Sequence, residues 1–108
     1  MHDNSMANND KKVHSGHRSR MKNRLKKNGS QTFEDHELLE MLLYYCVPQK
    51  DTNELAHRLL SGFGSLGNLF QADSKEVVKR FGVTENMAML FTISNGIFKR
   101  INSQKFDD

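Results

Sequence analysis

Tryptophan is absent from these 108 residues, and there is one cysteine and one proline. A lone thiol, Cys46, cannot close an intramolecular disulfide, which fits a reducing compartment and removes the covalent scaffold of small secreted domains. No apolar run approaches the ~18 residues of a membrane-spanning helix, and no charged start leads into an apolar signal segment. These absences predict a cytoplasmic or nucleoid-associated protein that is neither secreted nor membrane-embedded. No stretch alternates apolar and polar residues as a half-buried strand would. No acid/base pair or activated nucleophile is visible, so the chain reads as non-enzymatic with no cofactor. His14 and His17 share a short segment without a third ligand, so no metal site is expected.

What is present is helix signal and uneven charge. Net charge is only +3, yet Lys11–Lys27 holds eight Lys/Arg and no acid, while Glu34–Glu40 reverses the sign. A first helix is expected from about His17 to Lys27, with Met21 and Leu25 as its one apolar stripe and Gly29 available as a left-handed cap. A second, from about Asp35 to Cys46, starts acidic and then is apolar nearly all round, which predicts burial and makes Tyr44 and Tyr45 core candidates. Pro48 ends it. Asp51 and Glu54 form a capping-box pattern opening a third helix with Leu55, Ala56, Leu59, Leu60 and Phe63 on one face. Ser65 can cap a short fourth helix. Asp73 and Glu76 repeat the capping-box pattern ahead of Val77 and Val78. After the Phe81-Gly82-Val83 turn, Thr84 opens a last helix whose stripe is Met87, Phe91, Ser94, Ile97/Phe98 and Ile101. The predicted fold is all-α, a compact bundle of five or six short helices. Residues 1–15 are expected to be a disordered polar tail, 16–102 the helical domain and 103–108 a C-terminal tail.

Two helices joined by a Gly-containing turn, from Ala72 to Ile101, match the helix-hairpin-helix pattern. In such a hairpin, turn amides and a helix N-terminus approach a phosphate oxygen. A longer series of motifs surrounds it: Gly16-His17-Arg18-Ser19-Arg20; Phe33, Asp35, Glu37-Leu38-Leu39-Glu40, Leu42-Leu43; Pro48 with Asp51-Thr52-Asn53; Leu55-Ala56, Leu59-Leu60, Phe63-Gly64-Ser65-Leu66; and Phe81-Gly82-Val83 through Ala88. In order and spacing these resemble the N-terminal helical domain of the RadC family, over residues 16–101. The resemblance implies a bacterial protein with a DNA-repair label. It also implies a helix-hairpin-helix domain at 72–101 and a following metal-dependent JAB-type domain. That second domain's H-x-H motif does not occur in these residues, so its activity is not carried over.

The turn departs from the family's Gly-hydrophobic-Gly pattern. Thr84 stands where the second glycine belongs, and its hydroxyl suits the helix's own N2 or N3 amide. Glu85 adds negative charge where a phosphate would sit. The candidate nucleic-acid contacts are therefore led by the basic segment: Arg18, Arg20, Lys22, Arg24, Lys26 and Lys27, with Lys79, Arg80, Gly82, Val83 and Thr84 contributing weakly. The expected partner is duplex or branched DNA, held through its backbone without sequence preference. Little aromatic residue interleaves the basic segment, so stacking on single-stranded bases is not expected. Glu34–Glu40 docking the basic helix internally would withdraw its charge. The alternative is a protein-interaction or regulatory module, partnering a JAB-type domain or a second copy.

Overall fold

In the computed structural model, backbone is described for residues 4–48 and 51–107, and side chains for 15–48 and 51–104. The described residues form six α-helices and no strand: α1 Asn4–Asn28, α2 Asp35–Leu43, α3 Thr52–Phe63, α4 Leu66–Gln71, α5 Ser74–Phe81 and α6 Glu85–Asp107. A 3-10 turn, Ser30–Thr32, lies between α1 and α2. The chain divides into two compact units, and the division falls inside α3, between Arg58 and Leu59.

The helix starts are set by local side chains. Asp51 accepts the Asn53 N–H at 2.9 Å, Ser65 the Asn68 N–H at 3.0 Å, Asp73 the Lys75 N–H at 2.8 Å and Thr84 the Met87 N–H at 3.1 Å. Each satisfies one of the donors that a helix N-terminus leaves open. At the start of α2 the Glu34 N–H donates to the Glu37 carboxylate at 2.9 Å. Gly82 ends α5 in the left-handed conformation, φ 66° and ψ 22°.

In the first unit α1 lies on α2 through Met21 and Leu25, which pack with Phe33, Leu38, Met41 and Tyr44. Leu39, Leu43 and Ala56 are fully shielded from solvent. In the second unit Leu59, Leu69, Phe70, Val77, Val83, Met87, Ala88 and Phe91 are buried. Phe70 there touches both Phe91, at 5.1 Å between ring centroids, and Phe98, at 5.8 Å.

Four expectations are corrected. The backbone of α1 is helical from Asn4, not from about His17, because no proline or glycine interrupts 4–15 and extending a helix costs less than nucleating one. The side chains of that polar stretch lie outside the described residues. Gly29 has φ 82° but ψ 167°, the extended glycine-only region instead of a left-handed cap. α2 stops at Leu43, where the backbone tightens into i→i+3 bonds at Tyr44, Tyr45 and Cys46. That tightening turns Tyr45 outward, 77% exposed. Finally, Ile97, Phe98 and Ile101 are about half exposed, because α6 outlasts the short helices α4 and α5 on which Met87 and Phe91 pack.

Candidate functional site

Glu40 is the chemical centre of the first unit. It is 2% exposed, and its carboxylate accepts hydrogen bonds from the Tyr44 hydroxyl, the Asn53 amide nitrogen and His17 Nε2, each at 2.9 Å. Thr52, equally buried, donates to the Glu40 carbonyl at 3.4 Å. α1, α2 and α3 thus meet on one side chain. Burial works to raise the Glu40 carboxyl, but the hydrogen bonds from Asn53, His17 and Tyr44 outweigh it and hold it below the usual carboxylate range. Burial first, then the Glu40 carboxylate, push the Tyr44 hydroxyl well up, so it stays a donor. Every buried side-chain polar atom among the described residues has a partner. This network holds the fold, because a buried carboxylate without donors costs several kcal/mol.

The cations of α1 divide into two groups. Arg18 donates to the carbonyls of Tyr44 at 3.3 Å and Val47 at 2.7 Å, and its guanidinium lies 4.5 Å from the Tyr44 ring centroid. Arg24 makes a fork to Glu37 at 2.9 and 3.3 Å, donates to the Thr32 carbonyl at 3.0 Å, and covers Phe33 at 3.9 Å. The Arg24 hydrogen bond, then the Glu34 amide, hold the Glu37 carboxyl low. Both arginines therefore fasten the helix to its neighbours, Arg24 through the acidic run Glu34–Glu40 and Arg18 through backbone carbonyls beyond it. Arg20, Lys26 and Lys27 face outward and make no ion pair among the described residues. Lys22 is intermediate, its ammonium 5.2 Å from the Tyr45 ring centroid. Lys11 and Lys12 lie outside the described side chains.

The α5–α6 turn divides similarly. Arg80 donates to the Gly62 carbonyl at 2.9 Å and to Glu76 at 3.3 Å, and it stacks over Phe63 and Phe81. Val83 is buried, and the Thr84 hydroxyl is taken by Met87. Lys79 is exposed. With Ser74, Lys75, Val78 and Glu85 it lines an open groove of about 390 Å³. Lys75 escaped the sequence reading, although its i,i+4 spacing from Lys79 puts both on one face.

Elsewhere, Cys46 is partly shielded, and burial pushes its thiol up, away from the reactive thiolate. His36 and His57 stack on each other at 4.2 Å. No helix among the described residues is long and apolar enough to cross a membrane.

These features define an all-helical module with a polar latch in its first unit and an aromatic core in its second. The chain belongs to the UPF0758 family: residues 13–89 match its N-terminal domain. A UPF0758 protein of Fusobacterium nucleatum is 40% identical over 75 residues, covering 69% of this chain and 32% of that protein. One from Rhodobacter capsulatus is 33% identical over 73 residues, 68% of this chain and 34% of its own length. The match thus spans about a third of the length of these curated relatives. No solved structure matches the chain.

Proposed function

We propose that this chain is a non-catalytic, RadC-like helical module that binds DNA backbone without sequence preference through the outward face of α1. The observation that supports it is the sorting of charge on that helix. Met21, Leu25, His17, Arg18 and Arg24 fasten one side of α1 to the first unit. The side left to solvent presents Arg20, Lys26 and Lys27, and residues 15–28 contain no acid. A helix held rigidly by some of its cations offers the rest in a fixed array. Neutralising phosphates with such an array releases counterions and gives salt-dependent affinity. The α5–α6 turn, read as a degenerate helix-hairpin-helix, adds little. Its Thr84 hydroxyl already takes an amide that a phosphate would use, and Glu85 opposes an anion there.

Fluorescence anisotropy with a labelled duplex at two salt concentrations tests this reading. The triple variant Arg20→Ala, Lys26→Ala, Lys27→Ala is expected to weaken binding and to flatten the salt dependence by about one unit of slope per lost contact. All three side chains are exposed, so its melting curve should match the parent's. Unchanged duplex affinity in the triple variant sinks the reading.

A second reading, a protein-docking module for a JAB-type domain or a second copy, is favoured by α6. Met89, Ile93, Ile97 and Ile101 recur every four residues and are 38–55% exposed, with Phe98 beside them. Size-exclusion chromatography with light scattering tests self-association. A monomer that captures no JAB-type domain removes this reading.

A further inference from the structure

We propose that Tyr45 is a stacking platform for an unpaired base, so that the module prefers DNA carrying single-stranded nucleotides over continuous duplex. The inference rests on the α1 reading above and gives it a substrate class. Tyr45 is the most exposed large hydrophobic side chain among the described residues, at 77%, and it stands on a groove of about 320 Å³. The groove is floored by Leu25, Leu38, Met41 and Leu42 and edged by Lys22 and Lys26. No acid lines it. The occupant must therefore offer a flat apolar face together with negative charge, and a nucleotide does both.

The backbone that carries the ring is held in place. Arg18 ties down the Tyr44 and Val47 carbonyls on either side of it, and the Tyr45 N–H is bonded to the Leu42 carbonyl at 3.2 Å. An aromatic on a fixed backbone has only its two side-chain torsions to lose when a base stacks on it. An aromatic ring has two faces. The Lys22 ammonium stands over one, and the exposure of Tyr45 leaves the other to a base. Lys22 and Lys26 then lie within reach of the flanking phosphates. Bases inside a duplex are already stacked on each other, whereas a single strand, a frayed end or a branch presents a free face. Stacking of this kind is tolerant of sequence because every base has a π-face.

Sequence reading missed this because Tyr45 lies outside the basic segment, at the end of an apolar run that implies burial. The fold brings the two together.

The test measures anisotropy with labelled oligothymidine and labelled duplex, using the full chain. Tyr45→Ala is expected to lower the ratio of oligothymidine to duplex affinity about tenfold, the scale of one lost base–aromatic stack. Tyr45→Phe keeps the ring and should keep the ratio. Because the chain has no tryptophan, Tyr45→Trp installs a single indole whose fluorescence should be quenched by oligothymidine and not by duplex. An unchanged ratio in Tyr45→Ala overturns the proposal. So does a Tyr45→Ala variant altered only in self-association, which would place a protein segment in the groove. If the α1 triple variant weakens both nucleic acids while Tyr45→Ala leaves the ratio intact, the base platform alone fails. If the triple variant weakens neither, the α1 reading fails first.

Discussion

In the first unit the Glu40 side chain of α2 is joined by His17 of α1, Asn53 of α3 and Tyr44, and in the second unit Phe70 gathers Phe91 and Phe98. Both buried polar residues of the described chain, Glu40 and Thr52, fall in the first unit. Guanidinium groups over Tyr44 and Phe33 add to its polar fastening, as Arg80 over Phe63 and Phe81 does at the surface of the second unit. The second unit's buried side chains, among the described residues, are all apolar. The contrast follows from what each half must do. A helix rich in cations has few apolar side chains to dock with, so α1 is held by hydrogen bonds and arginine stacking. α6 has enough apolar surface to be held by packing alone.

The largest expected effect breaks the second unit. Phe91 is 1% exposed between α6 and the Phe70 ring, so Phe91→Ala removes a buried aromatic and leaves a cavity. Such truncations cost about 3–5 kcal/mol. Urea denaturation followed by far-ultraviolet dichroism should show that loss, and the loss should be the same at pH 7 and pH 4, since no ionisable group among the second unit's described residues is buried.

Breaking the first unit should look different. Glu40→Ala strands the Tyr44 hydroxyl, Asn53 amide and His17 imidazole, at a cost of about 3 kcal/mol. The parent protein's dependence on acid sharpens the contrast. A carboxyl held low in the folded state contributes its stability in full above its ordinary pKa, and loses it as pH falls through the lowered folded value. Glu40 and Glu37 are both held low, so the first unit should weaken progressively below the normal carboxylate range. Glu40→Gln removes one of the two groups and should flatten that dependence. Both tyrosines of the chain, Tyr44 and Tyr45, lie in the first unit, and tryptophan is absent. Tyrosine fluorescence therefore reports this unit by itself. An acid transition of the same steepness in Glu40→Gln would mean that the latch does not set it.

How much of this was legible in the sequence depended on distance along the chain. The all-helical fold and the caps at Asp51, Ser65, Asp73 and Thr84 were readable, since each cap is settled within three residues. The Glu34–Glu37 bond at the start of α2 was hidden because glutamate is not a favoured N-cap. Glu40 could not be singled out at all. Its partners lie 23 residues before it and 13 after it, and only the fold brings them together. The cations of α1 were counted correctly but not sorted, because whether an arginine faces solvent or a carbonyl depends on the neighbouring helix. Tyr45 was misplaced for a related reason. Apolar periodicity assumes that the helix continues, and α2 ends two residues before it.

The smallest expected effect concerns the α5–α6 turn, where stability and binding pull in opposite directions. Thr84→Ala removes the acceptor of the Met87 N–H and should cost the second unit about 1 kcal/mol. The released amide lies in the first turn of α6, where the dipole favours an anion, but Glu85 still repels one. Adding Glu85→Gln lifts that repulsion. The double variant should be less stable than the parent yet bind duplex about two- to fivefold more tightly, the affinity equivalent of one dipole-scale interaction. Melting curves and duplex anisotropy on the same preparation measure both terms. A double variant that loses stability without gaining affinity would show that this turn serves packing alone, and would leave α1 as the sole proposed grip on the phosphate backbone.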